Sequence, residues 1–318
     1  AKSIPKQAIM QRRQFLKTLA AALAAGGLQI EARAVSAEAT AALPPQSFDT
    51  LVYGSTPGGI AAAVEAARRG DRVVLACWKK SPGGMAASGL STTDAVRRHL
   101  FGGFVLEFIS KVRDHYRQIL GDASEQWKFV HDGWYYEPSV AEHVFREILA
   151  AAESRLVWLP GHWLRKATVE GSRIVSVELE CPQGKLVSCR ARTFVDGTYE
   201  GDLAAKAKVP YRVGREGRDE YGESKAGIHY MNWRTGQQIQ TADTGEPSAA
   251  IQAFCTRSIF TDDPEHRIPI EKPATYDEHL QDYLPLIDDF KSGRLKKWGW
   301  GTPLPRRKYQ MNGNIEGL

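Results

Sequence analysis

Cysteine is scarce in this sequence, which has four in 318 residues: Cys77, Cys181, Cys189 and Cys255. So few in a chain of this length exclude a small scaffold built on disulfide bonds. None of them form a C-x-x-C or C-x-x-x-x-C pair, so dithiol redox chemistry is not expected. Cys181 and Cys189 flank a predicted hairpin and could pair in an oxidising compartment, but we expect two single buried thiols there.

Clustered metal ligands and a basic body are also missing. The eight histidines are scattered and form no H-E-x-x-H motif, so no metal ion is expected. The net charge is +5, and all but one unit of it lies in residues 1–45. A nucleic-acid-binding body needs a clustered basic face, so no nucleic-acid partner is expected. The 42% hydrophobic and 25% charged content excludes a disordered or collagen-like chain, and the length favours two domains.

The apolar run near the start is too short and too rich in alanine and glycine for a membrane span. It covers roughly residues 18–30 and follows Gln-Arg-Arg-Gln-Phe-Leu-Lys at 11–17, and small-x-small cleavage sites come after it. This order is typical of a twin-arginine export signal, although an amphipathic helix that contains an arginine pair is the alternative. We therefore expect a signal and linker over 1–45, the export machinery as a partner, and a periplasmic or other extracytoplasmic location.

The first folded unit begins near residue 48. An apolar strand at 51–53 leads into the turn Gly54-Ser55-Thr56-Pro57-Gly58-Gly59. A strong helix former follows over 60–69, closed by Gly70, and a second buried strand comes at 73–76. The order of strand, glycine turn, helix and strand predicts the start of a βαβ nucleotide-binding unit.

The turn suits a diphosphate for a physical reason. A helix N-terminus presents unpaired N–H groups and a charge of about +0.5, provided that the backbone can come close. Gly54 permits the sharp exit from the strand, and Gly59 lets the helix pack tightly on the sheet. Thr56 replaces the usual middle glycine, and its hydroxyl could donate to a phosphate. Cys77 stands where a ribose-binding carboxylate is usual, so other groups must bind the ribose or the affinity for the adenosine half is weaker. A βαβ unit that binds no nucleotide is the alternative.

Further blocks carry a family resemblance. They are Gly83-Gly84-Met85 with Ser88-Gly89, Tyr136-Glu137-Pro138, and Asp196-Gly197-Thr198. With the turn at 52–60, they resemble the exported FAD-dependent oxidoreductase family of the glutathione-reductase-type flavoprotein fold. The resemblance covers about residues 48–226. A Thr-Pro-Gly-Gly turn is common in that family, so Thr56 is a family variant, whereas Cys77 remains unusual.

The resemblance implies an α/β fold: a Rossmann-like FAD-binding domain with a three-layer ββα arrangement and a β-meander, plus an incomplete substrate or cap domain. Meander strands are visible at 167–169, 174–179 and 185–188. The FAD-binding domain would span 46–205 with a helical insertion at about 97–150, and the cap region 206–318. Flavoproteins of this fold return with a C-terminal strand and helix, and nothing after Gly301 resembles that return, so we expect a truncated chain.

The resemblance also assigns cofactor residues. The turn at 54–59 would hold the FAD pyrophosphate, and the glycine pair at 83–84 would wrap the cofactor next to the flavin ring. An ordinary turn is the alternative for the glycine pair, and a turn or helix-cap role is the alternative for Asp196. The expected FAD-binding residues are Gly54, Thr56, Pro57, Gly58, Gly59, Cys77, Gly83, Gly84, Met85, Ser88, Gly89, Asp196 and Thr198.

Substrate contacts are less defined. Tyr136, Arg212 and Arg215 are candidates, with packing or salt bridges as the alternative, and no catalytic acid or base is assigned. No second glycine-rich βαβ unit for a nicotinamide is visible, so the substrate or an external electron carrier would reduce the flavin directly. We expect an FAD-dependent oxidoreductase that transfers a hydride to or from a small organic substrate. A truncated or catalytically silent nucleotide-binding protein is the alternative; a nicotinamide-dependent dehydrogenase is disfavoured by Cys77 and by the glycine pair.

Overall fold

The computed structural model describes residues 46–229, 231–232, 237–238, 244–251, 257–293 and 300–312. The predicted leader at 1–45 and Cys255 lie outside the described residues. The strands are β1 (Gln46–Tyr53), β2 (Val73–Cys77), β3 (Leu156–Pro160), β4 (Trp163–Glu170), β5 (Arg173–Glu180), β6 (Leu186–Asp196), β7 (Met231–Asn232), β8 (Gln237–Gln238), β9 (Arg257–Thr261), β10 (Trp300–Leu304) and β11 (Lys308–Asn312). The α-helices are α1 (Pro57–Arg68), α2 (Gly103–Leu120), α3 (Pro138–Ala151), α4 (Asp202–Lys206), α5 (Arg218–Tyr221) and α6 (Tyr276–Lys291).

The main sheet has six strands in the order β3-β2-β1-β6-β5-β4. Strands β3, β2, β1 and β6 run parallel, and β4, β5 and β6 form an antiparallel meander. Strand β6 belongs to both parts, because it pairs with β1 on one edge and with β5 on the other. The meander is therefore continuous with the parallel sheet.

Both faces of the central strands are buried, as expected where helices cover a parallel sheet. Val52 of β1 and Leu75 of β2 face a core that they share with α1, α2 and α3. Their neighbours Leu51 and Tyr53 face a second core, which they share with the meander and Leu203 of α4. Helices, parallel sheet and meander thus form three layers, which confirms the expected α/β fold.

The strand order reverses at β1. The chain passes from β1 through α1 to β2 on one side, whereas β6 pairs with β1 on the other. The register aligns Tyr53 at the end of β1 with Ala76 of β2 and with Asp196 of β6. In open α/β sheets, ligands bind in the crevice outside the carboxyl ends of the strands at such a point.

Two strands differ from the sequence-based expectation. Strand β3 was not predicted, yet it extends the parallel sheet beyond β2. Strand β6 was predicted as a short meander strand at 185–188, separate from the strand that ends at Asp196. It is a single strand of 11 residues. The helical insertion predicted at about 97–150 contains α2 and α3.

A second sheet, with the order β10-β11-β9, contacts the helical insertion through a buried carboxylate. Glu137 is 1% exposed and accepts a hydrogen bond from the Tyr116 hydroxyl at 3.1 Å. The ammonium of Lys308 in β11 pairs with the same carboxylate, and the Arg306 guanidinium lies 3.4 Å from it. Burial and the adjacent Glu137 carboxylate raise the pKa of Tyr116, so its hydroxyl stays protonated. Glu137 therefore ties the second sheet to α2 and α3.

No helix in the described part of the chain is long and apolar enough to cross a membrane.

Candidate functional site

Three glycine backbones meet where β1, α1 and β6 converge. Gly54 has a φ of +110°, and a Cβ there would overlap the backbone of Gly197 and lie 2.5 Å from the Thr198 nitrogen. A Cβ on Gly59 would overlap the Gly54 carbonyl oxygen, and one on Gly197 would lie 2.8 Å from Gly59 Cα. Real Cβ atoms do not approach other atoms so closely, so only glycine permits this junction. The junction holds the start of α1 against the ends of β1 and β6.

Thr56 is the N-cap of α1. Its hydroxyl accepts a hydrogen bond from the Gly59 amide at 3.2 Å and donates one to the Gly197 carbonyl at 2.7 Å. A hydroxyl has a single proton to donate, so the donor expected to bind a phosphate is used within the protein. The side chain therefore turns back onto the glycine junction, where it fixes the helix start to the end of β6.

The first turn of α1 leaves room for an anion. Pro57 occupies the first helical position, where its missing N–H costs nothing. A Cβ on Gly58 would have a single neighbour within 4 Å, the Thr56 hydroxyl at 3.9 Å, and Gly58 is exposed. The first turn contains no acidic side chain, so no carboxylate repels an anion there. An anion can therefore reach the Gly58 amide with the helix dipole behind it.

The glycine pair at 83–84 forms a turn that lies against the side chain of Tyr199. Gly83 and Gly84 have φ values of +103° and +51°, and Gly84 begins a short 3-10 helix, Gly84–Ala87. A Cβ on Gly84 would overlap the Tyr199 hydroxyl, which accepts a hydrogen bond from the Met85 amide at 2.9 Å. Burial raises the pKa of Tyr199, which keeps its hydroxyl protonated. The sequence-based prediction assigned no role to Tyr199, although it directly follows the Asp196-Gly197-Thr198 block.

The following residues close this turn. The Ser88 hydroxyl donates to the Gly84 carbonyl at 2.8 Å. Gly89 has a φ of +151°, and a Cβ there would lie 2.7 Å from Cβ of Arg257 in β9. Met85 is half exposed. The segment expected next to the flavin ring thus contacts the second sheet, a contact that the sequence did not predict.

The motif at the end of β6 organises a turn. Asp196 accepts hydrogen bonds from the Thr198 amide at 3.0 Å and the Thr198 hydroxyl at 2.7 Å, and from the Ala204 amide in α4 at 2.9 Å. The Thr198 hydroxyl accepts from the amides of Gly201 and Asp202. The structure gives Asp196 the turn and capping role, which was the alternative to direct cofactor contact. It positions the adjacent backbone at the crevice.

A narrow cleft with a volume of about 40 Å³ opens at the carboxyl ends of β1, β2 and β6. Cys77 closes β2 beside it and is buried, and its Sγ accepts a hydrogen bond from the Lys79 amide at 3.4 Å. The lining residues are Gly54, Ser55, Thr56, Cys77, Trp78, Lys79, Gly84, Thr198, Tyr199 and Glu200. Five of the expected cofactor residues therefore lie together on one cleft: Gly54, Thr56, Cys77, Gly84 and Thr198.

The three candidate substrate residues share no cleft or contact in the part of the chain that the structure describes. Tyr136 is 3% exposed and packs edge-on against Phe108 in the helical core. Arg212 forms an ion pair with Glu220 on the surface, at 2.7 Å between Nη1 and Oε2. Arg215 lines a separate polar depression, and its Nη1 is 3.5 Å from the Gly227 carbonyl oxygen. Packing and ion pairing account for the first two.

The thiols are isolated. Cys77, Cys181 and Cys189 are all free; Cys77 and Cys189 are buried, whereas Cys181 is partly exposed. The predicted single-thiol state is present, and the predicted burial holds for Cys189 alone of the hairpin pair. Among the described residues, no group of three or more His, Cys, Asp or Glu side chains could hold a metal ion.

A family model described as FAD dependent oxidoreductase matches residues 49–315. The myxobacterial chondrochloren halogenase, a variant of FAD-dependent halogenases, is 19% identical over 48% of this chain and 38% of that one, with a TM-score of 0.35. Glycerol-3-phosphate dehydrogenase from Bacillus halodurans, solved with FAD, is 14% identical over 60% of this chain and 44% of that one, with a TM-score of 0.38. A geranylgeranyl bacteriochlorophyll reductase-like protein from Thermoplasma acidophilum is 14% identical over 54% of this chain and 45% of that one, with a TM-score of 0.35. This chain spans less than half the length of each structure. No curated protein matches it.

Proposed function

The chain belongs to the family of FAD-dependent oxidoreductases, with FAD as its cofactor, and on that premise we propose that it oxidises or reduces a small organic substrate by hydride transfer. The observation that carries the proposal is the cleft at the switch point of the sheet, where bare backbone and a helix N-terminus face open space. The dipole of α1 and the exposed position of Gly58 in its first turn favour a diphosphate beside this cleft.

The residues present are suited to hold FAD. The glycine junction of Gly54, Gly59 and Gly197 keeps the helix start at the cleft, and the Gly58 amide would donate to the pyrophosphate. The flavin, when bound, supplies the hydride chemistry. Phe145 and Tyr199 fill the space next to Gly83 and Gly84, and Tyr199 holds the Met85 amide there, so this turn would act by keeping its backbone in place beside the cofactor. No side chain of the described cleft is assigned as the acid or base.

Reconstitution tests this proposal directly. The purified full chain is mixed with FAD, freed of excess cofactor by gel filtration and scanned for flavin absorbance. A retained flavin spectrum supports the proposal, and a colourless protein that cannot be reconstituted contradicts it. Anaerobic bleaching of the bound flavin by a panel of small organic substrates then identifies the substrate class. The same panel without any bleaching, on a flavin that dithionite reduces normally, would contradict the hydride-transfer step.

We further propose that the protein is exported in folded form through the twin-arginine route, with the export machinery as a transient partner. An external carrier would then serve as its electron acceptor. The support is the order of the arginine pair, the apolar run and the small-residue sites within residues 1–45. Fusion of this leader to a reporter that is active only after export tests it. Replacement of Arg12 and Arg13 by lysine should abolish export, and export unaffected by this change would contradict the route.

A further inference from the structure

The usual ribose contact is missing from this cleft. In nucleotide-binding βαβ units, a carboxylate at the end of the second strand hydrogen-bonds the ribose, and the diphosphate lies at the first helix N-terminus. Cys77 occupies that position at the end of β2, and its buried sulfur already accepts a hydrogen bond from the Lys79 amide. A thiol is a weak hydrogen-bonding group, so it cannot replace a carboxylate. The carboxylate that lines the cleft is Glu200, which follows β6 on the other side of β1.

An aromatic stack stands in the same place. Trp78 lines the cleft with 37% of its surface exposed, and its ring stacks on Trp163, with the centroids 5.1 Å apart and the planes 25° apart. The Lys79 ammonium lies 5.1 Å from the Trp78 ring centroid. On the far side, the Arg165 guanidinium lies 5.9 Å from the Trp163 centroid. We call these four residues the cation–tryptophan stack.

The stack is held in position from outside the cleft. Trp163 opens β4, which pairs with β5, and Arg165 binds Glu180 of β5 at 2.6 Å. The His162 amide donates to the Cys77 carbonyl at 2.8 Å, which ties the start of β4 to the end of β2. Trp78 is therefore a positioned ring whose exposed surface lies at the cleft. Apolar and aromatic side chains that line a cleft are typical of a binding site.

We propose that Trp78, supported by Trp163, stacks on the adenine ring of FAD, and that the Lys79 ammonium pairs with the adjoining diphosphate. The inference rests on the proposed function and adds the residues that recognise the adenosine half. A flat aromatic face binds a purine without reading its ribose. On binding, the Lys79 ammonium would move from the Trp78 ring to the diphosphate, which leaves the ring to the purine. The ribose 2′-hydroxyl thus contributes little, in contrast to sites in which a carboxylate binds it.

The test uses the full chain and four probes: FAD, ADP, 2′-deoxy-ADP and FMN. Equilibrium affinities are measured by calorimetry, and the quenching of tryptophan fluorescence is followed in parallel. Trp78→Leu should weaken FAD and ADP binding by about 10- to 100-fold and leave FMN binding unchanged. Trp78→Phe keeps an aromatic face and should restore most of the affinity. The wild type should bind 2′-deoxy-ADP within about threefold of ADP, because no group is assigned to the hydroxyl.

Trp127→Leu is the matched control. Trp127 also lies under a guanidinium, that of Arg117 at 5.6 Å, but it does not line the cleft. Its replacement should leave all four affinities unchanged. Normal FAD binding by Trp78→Leu would overturn the inference and leave the proposed function intact. The same holds if the wild type binds 2′-deoxy-ADP tenfold more weakly than ADP and Glu200→Gln abolishes this difference. A wild-type chain that binds none of the probes would overturn both.

Discussion

Two adjacent glycines of α1 have opposite surroundings, which permits a matched pair of substitutions. Gly59 packs on Gly54 and Gly197, and a Cβ there would overlap the Gly54 carbonyl oxygen and lie 3.3 Å from Gly197 Cα. Gly58 faces open space. Gly59→Ala must therefore push α1 away from the sheet, whereas Gly58→Ala needs no movement.

The magnitudes follow from these contacts. Carbon contacts are optimal at about 3.5–4.0 Å, so relief of the overlap at Gly59 requires a shift of about 1.5 Å between packed backbones. Overpacking of this kind costs about 1–3 kcal/mol, and the helix propensity of alanine returns up to about 1 kcal/mol of it. We expect Gly59→Ala to lower the melting temperature by roughly 2–8 °C. Gly58→Ala should be neutral or raise the stability by up to about 1 kcal/mol.

The assay is thermal unfolding followed by circular dichroism, with FAD affinity measured on the same samples. Gly59→Ala should lose both stability and FAD binding, because the helix start moves from the cleft. Gly58→Ala should lose FAD affinity alone, because its methyl group enters the space that we assign to the diphosphate. Equal stability for the two variants would refute the packing argument. Wild-type FAD affinity in Gly58→Ala would refute the placement of the diphosphate.

Three other predictions test the interior. Tyr53→Phe removes the hydroxyl that accepts from the buried Leu164 amide at 2.9 Å, so urea unfolding should show a loss of about 1–3 kcal/mol; an unchanged midpoint would speak against it. Burial raises the pKa of Cys189 to about 11 from an ordinary value of 9.0. The folded thiol keeps a proton that the unfolded thiol loses, so its contribution to stability is complete below pH 9 and falls as the pH rises toward 11. Cys189→Ala should remove about 2 kcal/mol of this dependence between urea titrations at pH 8 and pH 10.5, and parallel pH profiles for the two proteins would contradict it. Lys308→Met removes a positive charge from the buried Glu137 carboxylate and should lower the free energy of unfolding by about 3–5 kcal/mol. Addition of Glu137→Gln should recover part of this loss, and additive losses in the double variant would rule out direct coupling.

Local signals explain what the sequence predicts of the fold. The glycine turn, the alanine-rich α1 and the apolar β2 follow one another within 30 residues, and the meander strands alternate between clear turns. Strand β3 escapes prediction because its five residues follow α3 after a short segment with no glycine or proline. The length of β6 escapes for another reason: pairing with both β1 and β5 extends it beyond its own alternating pattern.

The same limit applies to the site. The sequence correctly predicts that the Gly54–Gly59 turn joins β1 to α1, because its chemistry is local. Tyr199 is 114 residues from the Met85 amide that it accepts from, and no local pattern marks such a contact. Arg212 is equally ambiguous in the sequence, since a surface ion pair with Glu220 and a substrate clamp require the same residue type. Only tertiary structure separates these roles.

The end of β2 shows how a fold can keep a binding position while its chemistry changes. The parallel strands and the glycine junction fix where a dinucleotide lies, because they place backbone amides at one edge of the sheet. They do not fix which side chains recognise the adenosine half, because the side chains after β2 project from a loop beyond the sheet. The cleft can therefore lose a carboxylate at Cys77 and acquire Trp78 without disturbing the strand register. For that reason we expect an unusual residue at the end of β2 to alter cofactor recognition before it alters the fold.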